Sequence, residues 1–190
     1  MNGRRRFSFD QWVAWVINPL GFVAVVFAFL ILPCASVTVK DWSPLTTSDL
    51  SPFKAATEGS ATGANIPFDH AFYQNDFSWP WALRLGTAVT VLVIAAGAGT
   101  GLFRSAERRL LRAAQVAAVA EVFLVLAVLS VASRMEETTY VVLANLVQLD
   151  DVSHFQITAG PEGGFWLSLI GLALIFAINL LALRIIRRRD

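Results

Sequence analysis

Three polar side chains inside apolar segments are the clearest candidates for a chemical role in this sequence. Glu121 lies about halfway along the apolar run 110–133, Thr90 lies within the run 81–103, and Asn179 lies within the run 163–186. An ionisable group within a membrane span is costly and therefore marks a contact or a site. A rise of ~1.5 Å per residue places Thr90 at the depth of Glu121, with Asn179 nearby. We therefore predict a hydrogen-bonded Glu121–Thr90–Asn179 cluster inside the membrane.

Two roles for Glu121 stay open from the sequence. A neutral glutamate can fix helix packing or pair with a neighbouring subunit, because the protonated carboxyl is both a donor and an acceptor. Alternatively, Glu121 can take part in proton-coupled or ion-coupled transport, although transporters usually show broken helices as well.

The sequence contains no pattern that is diagnostic of a metal site, a cofactor site or an enzyme active site. The histidines are His70 and His154, and together with Asp150 and Asp151 they are weak candidates for binding zinc, copper or calcium. No nucleophile–base pair or phosphate-binding loop is present, and Gly97-x-x-x-Gly101 lies inside an apolar run rather than at a strand-to-helix turn. We expect no metal, no cofactor and no enzymatic activity.

Composition and charge indicate an integral membrane protein. The 190 residues are 56% hydrophobic and 15% charged. A four-span arrangement places eleven arginines on one side, and short arginine-rich segments stay cytoplasmic. They are Arg4, Arg5, Arg6, Arg104, Arg108, Arg109, Arg112, Arg184, Arg187, Arg188 and Arg189. We expect these clusters to contact lipid headgroups and not nucleic acid. The single cysteine, Cys34, excludes an intrachain disulfide.

The predicted fold is an all-α membrane protein. It is a four-helix transmembrane bundle with a small extracytoplasmic cap, which can include a short β element, and an N-terminal interfacial helix. The predicted segments are an amphipathic segment at 1–17, spans at 18–36, 81–103, 110–133 and 163–186, outer loops at 37–80 and 134–162, an inner arginine-rich loop at 104–109, and a basic tail at 187–190. Both termini are cytoplasmic in this arrangement of a multi-pass protein of the cell membrane.

Two local structures stay open. Asn18-Pro19 suits the start of a helix, with Asn18 as the N-cap and Pro19 at the first helical position. A continuous helix from Gln11 to Leu32, kinked near Pro19, is the alternative. In the second outer loop, residues 138–142 favour a strand, whereas the apolar spacing through 149 also fits a helix. The alternating residues 155–158 can pair with the strand-like residues 36–39, while the rest of the first outer loop is typical of turns and coil.

Small residues predict where helices approach closely. Gly97 and Gly101 are four residues apart near the inner end of the second span, and Ala113 and Ala117 lie near the inner start of the third. Since small side chains allow close helix contact in membranes, we predict that these two pairs face each other across the hairpin.

Two stretches, Phe29–Val37 and Gly163–Leu169, carry a family resemblance. An apolar run that closes with Leu-Pro before Ser-Val, and a Gly-Phe-Trp-Leu start of the last span, resemble small uncharacterised four-helix membrane proteins of actinobacteria. The cysteine that these proteins often carry after Ser-Val is absent, since Thr38-Val39-Lys40 stands there. The resemblance implies four spans with both termini inside and implies no activity.

These features predict a non-catalytic accessory or assembly subunit of a larger membrane complex, such as an energy-transducing one. Its partners are other integral membrane subunits or further copies of itself. The alternatives are a small oligomeric transporter or channel that uses Glu121, and an outer-surface protein that binds lipid or metal. Transport requires a polar path to both surfaces, whereas the subunit role predicts a carboxyl sealed by apolar neighbours.

Overall fold

The computed structural model describes residues 8–40, 46–51, 62–64, 81–103, 105–147 and 156–188. Four helices and four strands lie in these ranges. In chain order they are α1 (Phe9–Ile31), β1 (Ala35–Lys40), β2 (Thr46–Leu50), β3 (Thr62–Ala64), α2 (Trp81–Ala98, followed by a 3-10 turn Gly99–Leu102), α3 (Ala106–Val147), β4 (Gln156–Pro161) and α4 (Gly163–Arg187).

All four helices contain segments that are long and apolar enough to cross a membrane. These segments are Phe9–Ile31, Leu85–Leu102, Ala106–Glu137 and Gly163–Arg187. Each helix packs against the helices before and after it, and α4 packs against α1, so the four form a closed up-and-down bundle. The prediction of four apolar helices is confirmed.

The first helix begins earlier than the predicted span at 18–36. Asn18 has helical backbone angles, φ −62° and ψ −55°, so it is not an N-cap. A π-helical turn, Val13–Ile17, precedes it, and the Asn18 N–H bonds the Val13 carbonyl five residues back. This wider turn accommodates Pro19, which has no N–H to donate. The continuous-helix alternative is therefore the one observed, and residues 9–17 are not a separate interfacial helix. Residues 1–7 lie outside the described part.

The third helix is longer at both ends than the predicted span at 110–133. It has 42 residues and is therefore ~63 Å long. Ser105 precedes it, and its hydroxyl accepts from the Arg108 N–H at 3.3 Å, so Arg109 lies in the first helical turn and not in the loop 104–109. The helix continues through Val147, which makes the first half of the predicted outer loop helical rather than extended.

An antiparallel sheet in the order β3-β2-β1-β4 lies beyond one end of the bundle. β1 pairs with β4 so that Val39 is opposite Ile157 and Ser36 is opposite Gly160, which confirms the predicted pairing of these two segments. β2 pairs with β1 on its other side. The prediction of turns and coil for the first outer loop is wrong at β2 and β3, because both strands pair within the sheet.

One apolar core joins the bundle to the sheet. Phe22, Phe29, Ile94, Leu124 and Leu172 are buried between the helices. The same cluster continues into the sheet, the outer part of α3 and the start of α4, where its members are Cys34, Ala35, Val37, Val131, Ala132, Met135 and Phe165. At the opposite end Val13, Ala14, Leu110, Ala182 and Leu183 form a second cluster. We call these the sheet end and the arginine end of the molecule.

Glycines allow α1 to approach two other helices closely. A Cβ at Gly97 of α2 would overlap the ring of Phe22, and a Cβ at Gly164 of α4 would lie 2.7 Å from the Pro33 carbonyl oxygen. Gly101 has nothing within 4 Å of such a Cβ. The predicted contact with the alanines of α3 is therefore not seen at Gly101, and at Gly97 the nearest side chain is Phe22 of α1. Ala113 and Ala117 are fully buried in the core cluster.

We predict that Gly97→Ala destabilises the protein and that Gly101→Ala does not. The added methyl must displace the fully buried Phe22 ring, and overpacking of this kind costs about 1–3 kcal/mol. At Gly101 the methyl enters open space. Thermal unfolding of the two variants in the same detergent measures the difference, and an equal effect at both positions would contradict the close contact with Phe22.

Candidate functional site

Glu121 lies on the flank of the bundle and not at its centre. Its side chain is half-buried, and the neighbouring Val119, Val122 and Leu126 are exposed. Ala117, Ala120 and Leu124, which are one turn or less away, are fully buried. The carboxyl makes no hydrogen bond or ion pair with any residue that the structure describes. A group that is costly in an apolar span is thus left facing outward between core and surface.

Asn18 and Asn179 form a reciprocal amide pair in the bundle interior. The Asn18 Nδ2 donates to Asn179 Oδ1 at 2.9 Å, and the Asn179 Nδ2 donates to Asn18 Oδ1 at 2.7 Å. The Asn179 Nδ2 also donates to the Ile175 carbonyl at 2.7 Å. Both side chains are fully buried. The pair joins α1 to α4 in an apolar environment, where such bonds are costly to leave unmade.

The predicted Glu121–Thr90–Asn179 cluster is not formed. The fully buried Thr90 donates from Oγ1 to the Gly86 carbonyl at 2.8 Å, with the Phe123 carbonyl of α3 at 3.4 Å. The Asn179 side chain is hydrogen-bonded to Asn18 instead. The depths calculated from the sequence do not bring Asn18 near Asn179, because a span that begins at residue 18 places Asn18 at the membrane surface. With α1 beginning at Phe9, Asn18 lies at the depth of Asn179 and competes for its amide.

Other polar side chains in the interior bond to their own helices. The Thr100 hydroxyl donates to the Gly97 carbonyl at 2.6 Å, and the Ser168 hydroxyl donates to the Gly164 carbonyl at 2.7 Å. The fully buried Phe29, Leu124 and Val128 lie in the same interior. The described helices therefore enclose an apolar layer and not a continuous row of polar groups.

The junction of the bundle and the sheet contains a further set of polar contacts. The Ser36 hydroxyl donates to Glu162 Oε1 at 2.7 Å, and the Glu162 and Gly164 N–H groups bond the Cys34 and Pro33 carbonyls at 3.0 and 2.8 Å. Cys34 is buried between these residues, and burial raises the pKa of its thiol to about 12. Cys34 is therefore protonated at neutral pH and acts as a small core residue.

The weak metal candidates His70, His154, Asp150 and Asp151 lie outside the described residues. Within the ranges that are described, no group of three or more His, Cys, Asp or Glu side chains is placed to hold a metal ion.

Sequence reasoning missed one buried cation. Arg109 is 5% exposed, and its guanidinium carbon lies 3.4 Å from the centroid of the Trp15 ring. Its Nε–H donates to the Phe103 carbonyl. Arg109 lies among several arginines, and the sequence does not distinguish it from its exposed neighbours. Which of them faces the bundle depends on where α3 begins.

No protein-family model, curated protein or solved structure matches this chain. The resemblance carried by Phe29–Val37 and Gly163–Leu169 stays a prediction. What the protein does is inferred from its own side chains and their contacts.

We predict that replacing either asparagine of the pair alone costs more stability than replacing both. Asn179→Leu leaves the Asn18 amide buried and unpaired, at a cost of about 1–3 kcal/mol. Asn18→Leu has the mirror effect. The double variant replaces the amides by two apolar side chains in an apolar core, so it regains most of the loss. A double-mutant cycle of unfolding free energies measures this coupling; additive single effects would contradict the pair.

Proposed function

We propose that this chain is a non-catalytic subunit of a larger assembly in the cell membrane, and that Glu121 contacts a polar group on a neighbouring membrane helix. The observation that carries the proposal is the Glu121 carboxyl, which lies on the flank of the bundle without a described partner. A helix from another subunit or from a second copy offers the donor or acceptor that the bundle itself does not.

The membrane location rests on the four apolar helices and on the uneven charge of the two ends. The described arginine end carries Arg108, Arg109, Arg112, Arg184, Arg187 and Arg188 against Asp10 and Glu107. The described sheet end carries Asp49, Glu136, Glu137 and Glu162 together with Lys40, Arg84 and Arg134. The arginine end is cytoplasmic in this proposal, because basic segments close to spans are retained inside.

The sealed interior favours a subunit over a transporter that acts as a single chain. Transport needs polar groups that connect both surfaces, but Asn18 and Asn179 satisfy each other and the layer next to them is apolar. The lateral position of Glu121 also fits a pore between several copies of the chain. That second candidate is an outcome of the experiments below.

The proposed subunit presents a fixed surface outside the membrane. The core cluster runs without interruption from Phe29 through Val37 to Met135, so the sheet is packed directly on the bundle and on the outer part of α3. We propose that this end contributes to the contact with extracytoplasmic parts of the partner.

We predict that cysteine labelling of intact cells places the two ends on opposite sides of the membrane. Lys40→Cys is expected to react with an impermeant maleimide added outside, and Arg188→Cys only after permeabilisation, because both positions are exposed. Cys34 itself should stay unlabelled at pH 8 until the protein is denatured, since it is buried and its pKa is about 12. The Cys34→Ser parent is the blank. Labelling of Arg188→Cys but not of Lys40→Cys in intact cells would reverse the proposed orientation.

We predict that Glu121→Leu weakens the assembly and that Glu121→Gln largely preserves it, because glutamine keeps both a donor and an acceptor. Loss of one hydrogen bond between membrane helices costs about 1–2 kcal/mol, or about 5- to 30-fold in the dissociation constant. The readout is the set of chains that co-purify at native abundance in mild detergent or nanodiscs, identified by mass spectrometry.

Glu121→Leu is compared with Glu107→Gln and with Glu107→Leu, the matched control, since Glu107→Leu makes the same chemical change at an exposed position of α3 outside the core. Partners lost equally in Glu107→Leu and Glu121→Leu would contradict a specific contact. A lone monomer in every extract would overturn the subunit proposal. A homo-oligomer whose proton flux in liposomes is abolished by Glu121→Gln would establish the second candidate.

A further inference from the structure

Arg109 is buried, unlike the arginines next to it in the sequence. Arg108 and Arg112, one residue before it and three residues after it, are exposed, whereas Arg109 is 5% exposed. Its guanidinium stacks on Trp15, in the π-helical turn of α1, and its Nε–H is bonded to the Phe103 carbonyl. The charge is thus held in place by three segments of the chain.

One nitrogen of this guanidinium lacks an acceptor. Nη1 is buried and has no hydrogen-bond partner within the described ranges. Arginine does not lose its proton in proteins, so the side chain cannot become neutral to relieve the cost. A buried charged donor without a partner is strongly unfavourable. The guanidinium therefore keeps one donor that an anionic acceptor would satisfy.

A cavity lies on the part of α1 that contains Trp15. It has a volume of about 430 Å³ and is lined by Gln11, Trp12, Trp15 and Val16. Trp12 and Trp15 are 50% and 54% exposed. Tryptophan is favoured where hydrocarbon meets the polar headgroups, because its ring is apolar and its N–H is polar. Trp15 belongs to both features, since it forms a wall of the cavity and stacks on Arg109.

We propose that this corner binds one anionic glycerophospholipid, with its phosphate on Arg109 and its glycerol backbone and upper acyl chain in the cavity beside Trp12 and Trp15. Charge complementarity selects an anionic headgroup, because exposed arginines surround the corner and the described acids there are Asp10 and Glu107. The apolar wall selects a lipid over free phosphate. Nη1 is covered by protein, so the phosphate reaches it by a shift of the half-exposed Trp15 indole. The inference rests on the membrane location proposed above.

The test is a lipid titration of the purified full-length chain in detergent, followed by native mass spectrometry. The probes are phosphatidylglycerol, phosphatidylcholine with the same acyl chains, and soluble glycerol 3-phosphate. We expect one phosphatidylglycerol to bind about 10-fold more tightly than phosphatidylcholine. Glycerol 3-phosphate should not bind at the same concentrations, because it cannot fill the cavity. Tight binding of glycerol 3-phosphate would show an anion site without a lipid and would overturn the proposal.

Arg109→Gln and Arg108→Gln are the matched pair, since they remove the same charge from adjacent positions. A charge-assisted hydrogen bond predicts about a 10-fold loss of phosphatidylglycerol affinity for Arg109→Gln. Arg108→Gln should stay within about 2-fold, because exposed charges contribute little. Equal losses in the two variants would indicate diffuse surface charge and overturn the proposal.

Trp15→Leu provides a variant that does not remove the buried charge, in case Arg109→Gln fails to fold. It should weaken phosphatidylglycerol binding while circular dichroism and the elution volume stay unchanged. Wild-type affinity in Trp15→Leu would contradict the site. Alkaline extraction of membranes is run in parallel: a chain released by carbonate would refute the membrane location itself, whereas a retained chain without lipid preference would refute the lipid site alone.

Discussion

The interface of α1 with α4 is the constraint on which the rest of the structure depends. At one point it is fixed by the reciprocal amides of Asn18 and Asn179. Along the same interface Gly21 meets Ile175 and Gly171 meets Val25, with contacts that leave no room for a larger side chain at Gly171. The two amides join α1 to α4 by two bonds, and Asn179 otherwise bonds the Ile175 carbonyl of its own helix. They specify one register of the helices, because a shift along the interface would break both interhelical bonds in an apolar core.

The same antiparallel register continues out of the bundle into the sheet. α1 ends before Pro33, the Gly164 N–H bonds the Pro33 carbonyl, and β1 then pairs with β4 from Ala35 opposite Pro161 onward. The strands that follow α1 and precede α4 are thus aligned by the helices themselves. Strand pairing in turn holds the sheet ends of α1 and α4 together. The register of the two six-residue strands β1 and β4 is therefore set by the helices next to them and is not selected among alternatives.

Much of this architecture could be predicted from local patterns, and the errors arose where a pattern fits two structures. Apolar length predicted the four helices, and alternation predicted the pairing of β1 with β4. Asn18-Pro19 has the same appearance at a helix start and after a π-helical turn inside a helix, and the choice depends on packing that lies far away in the chain. The observed partner of Asn179 depends on the same choice, because Asn18 reaches Asn179 only when it lies inside the helix. The sequence also identified Gly97 as a position of close helix contact. Which helix lies against it depends on the order of the helices around the bundle, and the spacing of residues in the sequence does not give that order.

Glu121 on the flank of the bundle and Arg109 at its arginine end make different demands on their surroundings. Glu121 can take up a proton, so an apolar neighbour costs it a hydrogen bond rather than a full charge. Arg109 has no neutral form and keeps its charge wherever it lies. A carboxyl on the flank therefore suits a contact that forms and breaks with the assembly, since the free state is tolerable. A buried guanidinium at the bundle end suits a ligand that is always present, and lipid phosphate is the anion that a membrane supplies at the highest local concentration.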